Sequence, residues 1–133
     1  MVAQEYVKYA GGCHCGAVRF EVEVTESVEV ERCNCSICKM SGNLHLILPK
    51  SRFQLLSSES AIQTYTFNTG VAQHYFCKVC GIKSFYIPRS NPDGVDVNVH
   101  CLDTLPANME IVDFDGENWE KNAYKLAHKS KQP

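Results

Sequence analysis

Cysteine placement constrains this chain more than any other feature. Its eight cysteines fall into three tight groups and one single residue: Cys13-His14-Cys15, Cys33-Asn34-Cys35-Ser36-Ile37-Cys38, Cys77-Lys78-Val79-Cys80, and Cys101. Thiols grouped this closely read as metal ligands in a reducing compartment and as disulfides in an oxidising one. The stretch 1–12 contains no apolar run of the kind a signal peptide needs, and no segment reaches the length of a membrane span. The expectation is therefore an intracellular protein, cytoplasmic with the nucleus as the alternative, whose cysteines stay reduced and bind metal. Four disulfides are the disfavoured alternative.

The groups differ in how many ligands they offer. Cys13-x-Cys15-Gly16 and Cys77-x-x-Cys80-Gly81 look like two matching knuckles, and their four thiolates would close a tetrahedral zinc site. Thiolate sets select zinc over magnesium or calcium, with an iron–sulfur cluster as the rival. Such a site would be structural, its binding energy coupled to folding. Cys33, Cys35 and Cys38 would hold a second zinc with three thiolates. Two readings stay open there. In one the site is closed, completed by Cys101 or by a histidine, and the chain is a non-catalytic zinc module that docks on other proteins. In the other the fourth position admits water or a foreign thiol, as catalytic zinc does. Zinc with three thiolates carries a net charge of about −1, so it favours activating a thiol over polarising a carbonyl. His74 and His100 are candidate acid–base or supporting groups. His14 should point away from the metal, and His45 and His128 carry no signal.

The rest of the chain reads as strands. Alternating apolar residues mark 17–24, 28–31, 44–48 and 95–99, and shorter pieces follow at 53–56, 83–87 and 109–114. The clearest hairpin joins 61–67 to 71–77 through Asn68-Thr69-Gly70. Residues 1–12 read as an arm ending in a Gly11-Gly12 turn, and 118–128 as one short helix. At 133 residues the chain suits a single mainly β domain. Lys125, Lys129 and Lys131 read as a solvated tail. A formal net charge of −2 gives no reason to expect a nucleic-acid partner.

Three stretches also carry a family resemblance. Gly12 to Phe20, Cys33 to Cys38 and Phe76 to Gly81 resemble the glutathione-dependent formaldehyde-activating enzyme family. Thr64 to Thr69, Phe85 to Pro92 and His100 to Asp103 look like its animal branch, centromere protein V. The similarity runs from about Tyr6 to about Lys125, which places the domain at 6–125 with tails at 1–5 and 126–133. The resemblance implies a zinc-pinned β-tent, sandwich-like in its layering. It implies a structural zinc on Cys13, Cys15, Cys77 and Cys80 and a catalytic zinc on Cys33, Cys35 and Cys38. It also implies a carbon–sulfur lyase acting on the adduct of glutathione and formaldehyde. Glutathione carries two carboxylates, for which Arg89, Lys39 and Arg52 are the candidate partners. The expected partners are thus a small thiol and a small aldehyde, with no nucleic acid and no membrane.

Overall fold

A computed structural model describes residues 6–131. Among the described residues, ten strands form two sheets. A small antiparallel sheet has the order β1-β2-β5, from Tyr6–Gly12, Arg19–Thr25 and Phe53–Leu55. A seven-stranded sheet contains the rest, in the order β10-β3-β4-β9-β8-β7-β6. Its members are β3 (Ser27–Cys33), β4 (Leu44–Pro49), β6 (Ile62–Tyr65), β7 (Gln73–Cys77), β8 (Phe85–Ile87), β9 (Gly94–Asn98) and β10 (Asn108–Phe114). All neighbours are antiparallel except β10, which runs parallel to β3 along the edge. The fold is mainly β, as the alternation predicts. Among the described residues, no helix is long and apolar enough to cross a membrane.

The period of two in a strand explains where the core lies and what faces away from it. Phe20, Val22 and Val24 of β2 are buried and point at Val30, Leu46, Leu48, Phe85, Val95 and Val97 of the large sheet. Phe20, Phe53 and Phe85 meet with centroids 4.8–5.8 Å apart. This layer is the hydrophobic core. The alternate positions of the same strands, Glu31, His45, Ile47, Asp96, Tyr86 and His74, project from the opposite face. Every residue of β4 and β9 is buried, because that face is covered too.

Three elements form the cover. A six-residue helix α1 (Ser36–Ser41) follows β3, residues 66–72 link β6 to β7, and the C-terminal segment folds back over β4. That segment comprises α2 (Trp119–Asn122) and a 3-10 helix (Ala123–Ser130), so the single helix expected over 118–128 is mostly the tighter form. Leu126 packs with Ile47 and Phe114, and Trp119 and Cys33 pack against that cluster.

Several sequence expectations change. The N-terminal arm is instead strand β1, paired along its length from Tyr6↔Thr25 to Gly12↔Arg19. Gly12 serves close approach there, since a Cβ would lie 2.0 Å from the Val18 carbonyl oxygen. The hairpin strands stop short of Asn68-Thr69-Gly70, because 66–72 bends over the polar face instead of extending the ladder. The stretch from 126 is no solvated tail where it is described. Leu126 and Ser130 are buried, and Asn91 Nδ2 donates to the Leu126 carbonyl at 2.8 Å and to Ser130 Oγ at 2.9 Å. Lys129 is ion-paired with Glu29 and Glu31. The expected tail residues 1–5 and 132–133 lie outside the described residues.

Candidate metal centre

Two clusters of sulfurs form, and each has the membership that spacing suggested. Cys13, Cys15, Cys77 and Cys80 bring their Sγ atoms within 4.8 Å of one another. Cys13 and Cys15 follow β1, Cys77 ends β7, and Cys80 lies in the turn beyond. The Cys15 sulfur is 3.6 Å from those of Cys13 and Cys77. Backbone N–H groups of Val18, Val79 and Cys80 point at the sulfurs of Cys13 and Cys77 at 3.2–3.4 Å. Donors of this kind stabilise thiolates. The backbone N–H of Cys15 and then that of Ile82 bring the Cys80 thiol down to about 6. Four sulfurs with backbone donors suit a tetrahedral soft metal ion such as zinc.

The second cluster, Cys33, Cys35 and Cys38, also lies within 4.8 Å. Of the three, only Cys33 and Cys35 precede the helix. Cys38 is buried in α1, three residues beyond Cys35, so both thiols face the same side. Asn34 fastens the segment: its Oδ1 accepts from the Glu117 N–H at 2.9 Å, and its Nδ2 donates to Asp115 Oδ1 at 3.1 Å. Gly116 passes so close that a Cβ would lie 2.3 Å from Cys33 Sγ. Hydrogen bonds from Cys33 and then Cys38 lower the Cys35 thiol steeply, whereas contacts with Cys33 and then Cys35 raise Cys38. A metal ion bound by all three would have to displace the remaining thiol protons, as thiolate ligation requires.

Among the described residues, no fourth histidine, cysteine or carboxylate joins this cluster. Cys101, the candidate fourth ligand, sits by the other set. Burial, then Cys13 and Cys80, push its thiol up to about 11. The residue that does approach is His45, which carries no signal in the sequence. Its Nε2 lies 3.1 Å from Cys38 Sγ, and its Nδ1 lies 2.5 Å from Asp96 Oδ2 and 3.2 Å from the Tyr86 hydroxyl. A carboxylate–histidine–ligand chain of this kind orients a metal ligand from behind. Burial opposes the charged form of His45, but Asp96 outweighs it and the net shift is upward. His45 escaped detection because it falls among Leu44, Leu46, Ile47 and Leu48 and reads as part of an apolar strand. The one signal in the sequence is that an ionisable residue stands inside an otherwise apolar run, Leu44 to Leu48.

The three sulfurs line a cavity of about 210 Å³ together with His45, Asp96, Tyr86 and His74. Ile47, Phe114 and Leu126 supply an apolar wall, and Phe67, Asn68, Arg89 and Trp119 also line it. Arg89 lies 3.9 Å over the Trp119 ring and pairs with Glu120 at 2.8 Å. His100 and Lys39 are exposed and line a neighbouring cleft that also touches Cys33 and Cys38. Arg52 is not brought to either cavity. It covers the Tyr6 ring at 3.5 Å in a cleft without cysteines. His14 and His128 are exposed.

The family model described as "Glutathione-dependent formaldehyde-activating enzyme" matches residues 8–121. The chain belongs to the glutathione-dependent formaldehyde-activating enzyme family. A protein of Halomonas elongata bearing the name "Putative glutathione-dependent formaldehyde-activating enzyme" is 29% identical over 117 residues, covering 81% of this chain and 74% of its own. The crystal structure of a Rhodobacter sphaeroides protein superposes with a TM-score of 0.68 at 32% identity, covering 77% of this chain and 99% of the other. Both sulfur clusters fall inside the part that the family model matches.

Proposed function

We propose that this protein is a zinc-dependent carbon–sulfur lyase that makes or breaks an adduct of the S-(hydroxymethyl)glutathione type, from a thiol and a small aldehyde. The observation that carries this reading is an asymmetry. One sulfur cluster has four members, while the other has three and lies on a cavity. The first is then the structural zinc site and the second the catalytic one. Zinc at the three-sulfur set would supply a Lewis acid with a position for the substrate thiol, whose pKa it lowers. Cys33, Cys35 and Cys38 orient that position, and Asp96 holds His45 against Cys38 to fix the third sulfur. Ile47, Phe114 and Leu126 keep water from one side of the reacting carbon. Arg89 in the cavity wall and Lys39 in the neighbouring cleft offer cations to the glutathione carboxylates.

The resemblance of 64–69, 85–92 and 100–103 supports the centromere protein V-like branch and, with it, the β-tent. The grouping of seven cysteines into two candidate metal sites supports an intracellular setting. Because formaldehyde adds to thiols unaided, turnover must be measured against the uncatalysed rate. The zinc-replete protein is expected to hold two zinc ions, to bind glutathione and to exceed that rate. A Cys35→Ser protein should keep its fold, retain one zinc and lose turnover. Absence of glutathione binding to the zinc-replete protein would overturn the reading and favour a zinc module without catalysis.

A further inference from the structure

The polar row on the covered face contains two atoms that the metal chemistry leaves unused, one on His74 and one on Asp96. His74, on β7, is 4% exposed, and its two ring nitrogens have different surroundings. Nδ1 lies 2.8 Å from Lys83 Nζ, while Nε2 has no partner among the described residues. An ammonium group has donors only, so Nδ1 must accept. A neutral imidazole then carries its proton on Nε2. The ring is neutral, since burial first and the Lys83 charge second bring its pKa down to about 4. The ring is also stacked on Tyr86 at 4.9 Å and on Phe67 at 5.3 Å, which opposes its turning over to exchange the nitrogens. His74 lines the cavity that holds Cys33, Cys35 and Cys38, whereas Lys83, on the Nδ1 side of the ring, does not.

The second group is Asp96, on β9, which is 1% exposed. Its Oδ2 takes the His45 contact, and its Oδ1 has no partner among the described residues. Asp96 lines the same cavity. The strand register links the two groups, because His74 pairs with Tyr86 and Tyr86 with Asp96. One buried donor and one buried acceptor, both unsatisfied, are costly together. A hydroxyl group satisfies both, since it accepts on oxygen and donates its proton.

We propose that His74 Nε2–H and Asp96 Oδ1 bind the hydroxyl of the hydroxymethyl group in the thiol–aldehyde adduct, with Lys83 as the positioning residue that fixes the His74 tautomer. The proposal rests on the lyase reading above and says how the oxygen end of the adduct is held. In cleavage, the hydroxyl proton passes to Asp96 Oδ1. The electron pair of the broken O–H bond becomes the second carbon–oxygen bond. The carbon–sulfur bond breaks, and its pair stays on sulfur. The products are formaldehyde and a thiolate, and the reverse sequence returns the proton to oxygen. Negative charge builds on that oxygen as its proton leaves, and the His74 N–H meets it there, as donors in an oxyanion hole do.

The test combines spectroscopy with kinetics on the full-length, zinc-replete protein. Nitrogen-15 NMR of the histidine rings should show His74 as the Nε2–H tautomer at neutral pH. In a Lys83→Met protein, both tautomers should appear. With S-(hydroxymethyl)glutathione as substrate, His74→Phe should lower kcat about a hundredfold, with KM and zinc content little changed. His74→Gln, which can restore an N–H donor, should recover most of the loss. A wild-type ring that is protonated on Nδ1 or charged, or a His74→Phe protein with undiminished kcat, overturns the proposal while the lyase reading stands. Wild-type protein without turnover above background overturns the lyase reading and the proposal with it.

Discussion

His45 is held at both ends, by the Cys38 sulfur and by the Asp96 carboxylate, inside a face that solvent does not reach. Removing the ring leaves Asp96 buried without that partner. His45→Ala is therefore expected to cost about 3–5 kcal/mol of stability, the range for a buried pair that loses one member. The midpoint of a urea titration measures this, and an unchanged midpoint would mean that Asp96 has another partner. Gly116 works by having no side chain. Since its Cβ would meet Cys33 Sγ at 2.3 Å, Gly116→Ala should weaken metal binding at the three-sulfur cluster and spare the other. Metal content after competition with a chelator distinguishes the two sites. Neither residue was legible in the sequence. A histidine in an apolar strand and a glycine in an Asp-Gly-Glu turn both have ordinary explanations until the fold shows their neighbours.

At the scale of elements, β4 and β9 matter most because they are buried on both faces. Leu46, Leu48, Val95 and Val97 make the core on one side, while His45 and Asp96 reach the cavity on the other. The alternation in the sequence was enough to find these strands and their core faces. It could not show that the second face was covered, because the cover comes from α1, the 66–72 link and the C-terminal segment. The cover is tied down by charge. Lys129 pairs with Glu29 and Glu31, and Glu31 is 3% exposed. Burial raises the Glu31 pKa, and Lys129 acts against that rise. Lys129→Met should therefore cost about 3 kcal/mol, and adding Glu31→Gln should recover much of it, since the buried charge is then gone. Thermal denaturation of the single and double variants measures the coupling. Additive losses would mean that the pair does not act as a unit.

For the molecule as a whole, the four-sulfur cluster is a clasp between sheets. Cys13 and Cys15 leave the small sheet at the end of β1, whereas Cys77 and Cys80 belong to the β7 end of the large one. A metal ion there would couple the two layers, and structural zinc contributes about 10–16 kcal/mol of binding energy in small zinc peptides. Cys77→Ser should accordingly lower the thermal midpoint far more than Cys38→Ser, and a strong chelator should bring the wild type toward the Cys77→Ser value. Equal effects from the two variants would remove the distinction between a structural and a catalytic site. By itself the sequence determined the mainly β fold, the strands that alternate, and which cysteines belong together, because these depend on periodicity and on ligand spacing along the chain. The tertiary structure alone decided that Cys101 stands apart from the three-sulfur cluster and that His45, Asp96 and His74 meet around one cavity, with Lys83 against His74. Those contacts join strands up to 51 residues apart, and cross-strand register, not local pattern, sets which side chains become neighbours.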